Sequence, residues 1–108
     1  MSFIAMNRFR INHGFEDGFE RMWRERESHL GQVPGFKGFR LLKGPDDGEC
    51  RLYASHTTWA SQADFDAWRE SDHFRKAHAQ AKAPPGTYAG HPVFEGFEVV
   101  LAEPGGGG

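Results

Sequence analysis

The order of elements in this 108-residue chain predicts an α+β fold of the ferredoxin-like kind, βαββαβ, with an antiparallel sheet covered by helices on one face. Three observations carry that expectation. The chain opens on an alternating strand, Phe3 to Ile11. Two further strand-like stretches flank Gly44-Pro45-Asp46-Asp47-Gly48, a hairpin loop by composition. The two halves also repeat one order, a strand, helical sequence and a strand, without any tandem repeat. The sheet's other face carries apolar residues too, which predicts a homodimer packed sheet against sheet. A single domain is expected over residues 1–102, with a flexible Gly-rich tail at 103–108.

In the first strand Phe3, Ala5, Asn7, Phe9 and Ile11 share one face, and Ile4, Met6, Arg8 and Arg10 share the other. Asn7 is the misfit, an amide in the middle of an apolar face. It either bonds a neighbouring loop or points into a pocket and holds a ligand; a buried amide left unpaired costs about 1–3 kcal/mol. Asn12-His13-Gly14 is a turn, and a helix follows from Glu16 to Leu30 with two acidic residues at its positive end. Its inward stripe is Phe15, Phe19, Met22, Trp23, Arg26 and Leu30. Arg26 is the second misfit. Its guanidinium either snorkels to solvent or meets a carboxylate at a pocket mouth.

Pro34-Gly35 marks a turn before the second strand, Phe36 to Lys43, and the third runs from Cys50 to Trp59. Neither face of that third strand is purely polar, so cover is expected on both, with His56 as a strand-face or interface residue. Ser61 caps the next helix, with Asp64 three residues on as a variant capping box. Residues 82–92 hold Pro84, Pro85 and Pro92 and read as a long loop. The last strand is Phe94 to Leu101.

Composition narrows the function classes. Aromatics make up 14% of the chain, with ten Phe and three Trp, which suits a ligand pocket or a self-association face. The net charge of -2 with mixed signs offers no basic patch for nucleic acid. The one cysteine, Cys50, allows neither an internal disulfide nor a thiolate cluster. Neither a signal-peptide run nor a membrane-spanning segment is visible, so a cytoplasmic location is expected.

The most informative stretch runs from Phe65 to Ala81. Ser71 is placed to cap a second helical piece, after which Phe74, Ala77, His78 and Ala81 fall on one face at i, i+3, i+4 and i+7. Trp68 shares its face with Phe65. A histidine and a tryptophan aimed inward, with small alanines beside the histidine, either complete an ordinary core or frame a slot for a flat ligand.

These residues carry a resemblance. Asn7 in the first strand, Pro34-Gly35-Phe36 with Gly38, Trp59, the run Phe65-x-x-Trp68-x-x-Ser71-Asp72-x-Phe74-x-x-x-His78 and the strand Phe94-Glu95-Gly96-Phe97-Glu98-Val99-Val100 resemble the antibiotic biosynthesis monooxygenase family of dimeric α+β barrels. Within it, the chain is similar to the small bacterial heme-degrading monooxygenases of the Isd type. The W-x9-H spacing with the strand asparagine is the specific part; the PGF turn and Trp59 are shared by the wider superfamily.

The resemblance implies a functional set of Asn7, Trp68 and His78. His78 would be the axial ligand to heme iron, its second ring nitrogen held by a carbonyl or carboxylate. Asn7 would face oxygen on the opposite side of the ring, and Trp68 would press the macrocycle out of plane. Phe65, Phe74 and Trp23 would wall the heme, and Arg26 would pair with a propionate. Heme would serve as both substrate and oxygen activator. No flavin or nicotinamide fingerprint is present, so electrons are expected from a partner reductase or a small external donor. Two alternatives stand beside this: a cofactor-independent monooxygenase acting on a quinol or aromatic polyketide, with His78 as general base, and a non-catalytic heme-binding dimer.

Overall fold

The computed structural model describes residues 1–26, 28–72, 74–76 and 83–105. The strands are β1 (Phe3–Asn12), β2 (Phe36–Asp46), β3 (Cys50–Trp59) and β4 (Val93–Glu98). The helices are α1 (Glu16–Glu25) and α2 (Gln62–Arg69), with one 3-10 turn at Leu30–Gln32. The strands form one antiparallel sheet in the order β2-β3-β1-β4. That is the expected βαββαβ arrangement, with the two central strands β3 and β1 paired along their full length.

The register puts the alternation of β1 to use. Phe3 lies opposite Trp59 and Glu98, Asn7 opposite Ser55 and Phe94, and Phe9 opposite Tyr53. The odd-numbered side chains of β1 face the helices. They divide into two clusters. Phe3, Ala5, Leu30, Trp59 and Phe65 pack at the α2 end of the strands. Phe9, Ile11, Phe19 and Tyr53 pack at the α1 end. Asn7 falls between the clusters.

Each helix starts for a local reason. Gly14 adopts φ +92° in the turn after β1, and its N–H donates to the Glu16 carboxylate at the start of α1. Ser61 caps α2 as expected, its Oγ accepting from the Asp64 N–H at 3.1 Å. The α1 helix ends at Glu25, five residues before the expected Leu30, because Arg26 turns to extended backbone (φ -66°, ψ 141°). Beyond Trp23 the sequence is polar until Leu30, so further helical turns would bury nothing; Leu30 reaches the core from its own short turn instead. The hairpin is also tighter than expected. β2 continues to Asp46 past an irregularity between Lys43 and Asp46. The Asp47 carboxylate closes the turn by accepting from the N–H groups of Glu49 and Cys50. At the C-terminal end β4 stops at Glu98, short of the expected Leu101.

The loop preceding β4 is fastened to the end of β1. The Thr87 hydroxyl donates to the Pro84 carbonyl, the Asn12 N–H donates to the Thr87 carbonyl, and the Ala89 N–H donates to the Arg10 carbonyl. Tyr88 is thereby brought against Phe9 and Phe19. No helix among the described residues is long and apolar enough to cross a membrane.

Gly35 permits the close approach of the β2 entrance to α2. Its φ is +81°, and a Cβ there would overlap the Asp64 carboxyl. Gly35→Ala is expected to destabilise the fold by about 1–3 kcal/mol from backbone strain alone, with more from displacement of Asp64, read as a lower urea midpoint.

A second prediction concerns the α1 end of the core, where the buried Tyr53 hydroxyl donates to Glu20, which also receives Lys43 at 3.2 Å. The Tyr53 hydrogen bond, then that of Lys43, hold the Glu20 carboxyl below its ordinary value of 4.5. Burial, then Glu20, push the Tyr53 phenol upward. The lowered Glu20 value contributes stability above the ordinary glutamate range that is lost as pH falls through it; the raised Tyr53 value contributes stability below pH 10 that is lost as pH rises beyond it. Glu20→Gln should therefore flatten both limbs of a stability-versus-pH curve.

Candidate functional site

A partly open cavity of about 370 Å³ lies between the helices and the sheet, over the gap between the two core clusters. Its size falls within the roughly 300–1,000 Å³ usual for small-molecule sites. The floor is the middle of β1 and β3: Ala5, Asn7, Ser55 and Thr57. Small and polar side chains at these four positions leave the space that two large apolar residues would otherwise fill.

One wall comes from α1 and the edge strand β2. Trp23 stacks on Phe39 at 5.4 Å with an interplanar angle of 20°. Arg26 caps that stack, its guanidinium carbon 4.6 Å from the Trp23 ring and 4.7 Å from Phe39. The early end of α1 makes this possible, since an extended residue 26 turns its side chain back over the preceding turn. Burial lowers the Arg26 pKa, and no carboxylate among the described residues pairs with it. Of the two readings of Arg26 from sequence, the guanidinium lies at a pocket wall.

The opposite wall comes from α2 and the other edge strand, β4. Phe65 stacks on Phe94 at 5.5 Å and 3°. Trp68 stands beside them, 5.4 Å from the core ring of Trp59 and 4.8 Å from Phe74, which meets it edge-on. Ser71 sets that last contact. Its Oγ donates to the Trp68 carbonyl at 2.6 Å and accepts from the Phe74 N–H at 3.3 Å, the capping role expected of it. The aromatic line thus continues around the bend between the two helical pieces.

The cavity brings together Asn7, Trp23, Arg26, Phe65, Trp68 and Phe74. His78, the remaining site residue named from sequence, lies outside the described residues. The Asn7 amide is half-buried and makes no side-chain hydrogen bond to a described residue, so its donors and acceptor face the cavity. Cavity residues not named as site residues from sequence include Phe39, Ser55, Thr57, Arg69 and Tyr88. Phe39 and Ser55 followed from the strand alternation once the register was known. Tyr88 sits in the 82–92 loop, whose fastening to β1 has no local signal. Burial pushes its phenol above the ordinary tyrosine value.

A family model for antibiotic biosynthesis monooxygenases matches residues 2–80. The chain belongs to that family. A heme oxygenase (mycobilin-producing) of Mycobacterium tuberculosis (strain ATCC 25618 / H37Rv) is 34% identical over 101 residues, spanning 94% of this chain and 91% of that protein. A heme-degrading monooxygenase of Shouchella clausii (strain KSM-K16) is 36% identical over 67 residues. That match spans 61% of this chain, and 63% of that protein's length. Among solved structures, the heme-degrader MhuD from Mycobacterium tuberculosis with two hemes bound in its active site superposes with a TM-score of 0.74 at 31% identity, covering 94% of this chain and 99% of that one.

The polar floor is a cost to the fold. Asn7→Leu, which bridges the two core clusters, should raise stability by about 1 kcal/mol and shrink the cavity. Thermal melting together with loss of binding of a fluorescent apolar dye checks both parts.

Proposed function

We propose that this chain is a heme-degrading monooxygenase that opens the tetrapyrrole with O2 and reducing equivalents and releases the iron. The observation that supports it best is the cavity itself: an apolar slot with Asn7 on its floor, Trp68 and two further aromatics on one wall, and Arg26 on the other. The likeness to relatives named for heme degradation supports the same substrate.

In this reading heme is the substrate, and its iron activates oxygen when bound. The chain's own residues bind and orient it. His78 would hold the heme iron through its imidazole. Asn7 would offer its amide N–H to the heme from the floor. Trp68, backed by Trp59 and Phe74, is a rigid edge that presses on the ring. Phe65, Phe74 and Trp23 exclude water, and Arg26 pairs with a propionate through its forked donors.

Electrons come from an external donor, a reductase or small reductant, which suits a reducing compartment such as the cytoplasm. The catalytic unit is residues 1–102. We also propose that it works as a homodimer through the sheet face away from the helices, where Leu42, Val93 and Phe97 are exposed beside Ile4 and Met6.

An optical titration with hemin, followed by ascorbate in air with catalase present, tests the reading. A stoichiometric Soret band that decays as iron becomes chelatable is expected. In His78→Ala the band should shift or weaken. In Asn7→Ala it should form normally but decay about tenfold more slowly, the scale of one lost charge-assisted hydrogen bond. A band that forms and persists in the wild type leaves a heme-binding protein. Absence of any band points instead to an organic-substrate monooxygenase.

A further inference from the structure

Two polar side chains are buried among the described residues, Ser55 and Thr87. The fold uses one of them. The Thr87 hydroxyl donates to the Pro84 carbonyl. Ser55 is 6% exposed, lines the cavity floor, and makes no side-chain hydrogen bond to a described residue. A buried hydroxyl without a partner is a cost to the fold.

The neighbouring pair on the same face shows how that cost is ordinarily met. Thr57 stands opposite Ala5, and its hydroxyl donates across the strands to the Ala5 carbonyl at 3.2 Å. Ser55 stands opposite Asn7 in the same register, yet no equivalent bond to the Asn7 carbonyl forms. Space alone does not call for a hydroxyl here. Where the floor needs only a small side chain, alanine serves, as at Ala5.

Ser55 and Asn7 are a cross-strand pair on the two central strands, both facing the cavity. Directly opposed residues of an antiparallel pair hold their Cβ atoms about 4.5–5.5 Å apart. One water-sized ligand between them reaches both with hydrogen bonds of ordinary length. The serine hydroxyl and the asparagine amide can each donate to it.

We propose that Ser55 is a second hydrogen-bond donor of the site, which with Asn7 grips one small acceptor over the middle of the floor. In the free protein a water takes that place. The inference rests on the heme reading, in which the pair receives the dioxygen consumed with the ring. Two donors meeting at one point favour a ligand that gathers negative charge over one that does not. Ser55 is thus a binding residue for the small co-substrate and leaves the hold on heme itself to the walls.

The test uses the full chain, as wild type and Ser55→Ala, in three measurements. Thermal melting of the free proteins comes first. Ser55→Ala removes an unpaired buried hydroxyl, so its melting temperature should equal or exceed that of the wild type. Hemin titration follows, and the two proteins should load equally. The loaded proteins are then titrated with fluoride, a small anion that accepts hydrogen bonds, and after reduction with carbon monoxide, a poor acceptor. Ser55→Ala should bind fluoride about tenfold more weakly than wild type and carbon monoxide equally well. A clear fall in melting temperature would show the hydroxyl already committed within the fold. Unchanged fluoride affinity would remove Ser55 from the ligand, and equal weakening for both ligands would reduce it to a shaping residue. Each of these overturns the inference and leaves the heme reading standing. Failure of the wild type to bind hemin, seen before any small ligand is added, would overturn both.

Discussion

The site depends on an interruption in the apolar face of one strand. β1 offers Phe3, Ala5, Asn7, Phe9 and Ile11 to the helices, large at its ends and small or polar in its middle. β3 answers in register, with Trp59 and Tyr53 at the ends and Thr57 and Ser55 between. Two central strands with matching gaps cannot form a continuous core. The helices accordingly cover one end each, and the space between them stays open.

Aromatic side chains are what make such an opening sustainable. An aliphatic core split in this way would collapse, because flexible side chains fill available space. Here the walls are built from rings locked against one another: Trp23 on Phe39, Phe65 on Phe94, Trp68 between Trp59 and Phe74. A ring pair presents a flat face with only two side-chain torsions per residue to order, so the wall keeps its shape at modest entropic cost. The high Phe and Trp content finds its use in these walls as well as in the core.

Much of this was legible in the sequence because it rests on local periodicity. The alternation of β1, the Ser61 and Ser71 caps and the shared face of Phe65 and Trp68 are short-range patterns, and the structure keeps them. Both misfits, Asn7 and Arg26, stood out because each breaks a periodic apolar stripe, and both line the cavity. What escaped depends on contacts far apart in sequence. Arg69 was not named from sequence, since one of the rings it covers is Phe94, twenty-five positions on. Tyr88 is brought to the site by loop hydrogen bonds to Asn12 and Arg10, far away in sequence. The end of α1 at Glu25 was overrun because Leu30 falls on the helical stripe, although it packs from a separate turn.

The energetics of the opening bear on what it is for. Emptying a dry core by about 370 Å³ would cost on the order of 9 kcal/mol at the usual cavity scaling, comparable to the whole stability of a small domain. The cavity is partly open to solvent, so it does not carry that dry penalty, and polar groups on its floor suit a wetted surface. Asn7, Ser55 and Thr57 supply those groups. The same arrangement makes water easy to displace by a ligand that presents a flat apolar face to the rings and hydrogen-bonding groups to the floor. Binding then closes the gap between the two core clusters and stabilises the fold in proportion to ligand concentration. The residues that weaken the free protein are thus those through which a bound ligand strengthens it.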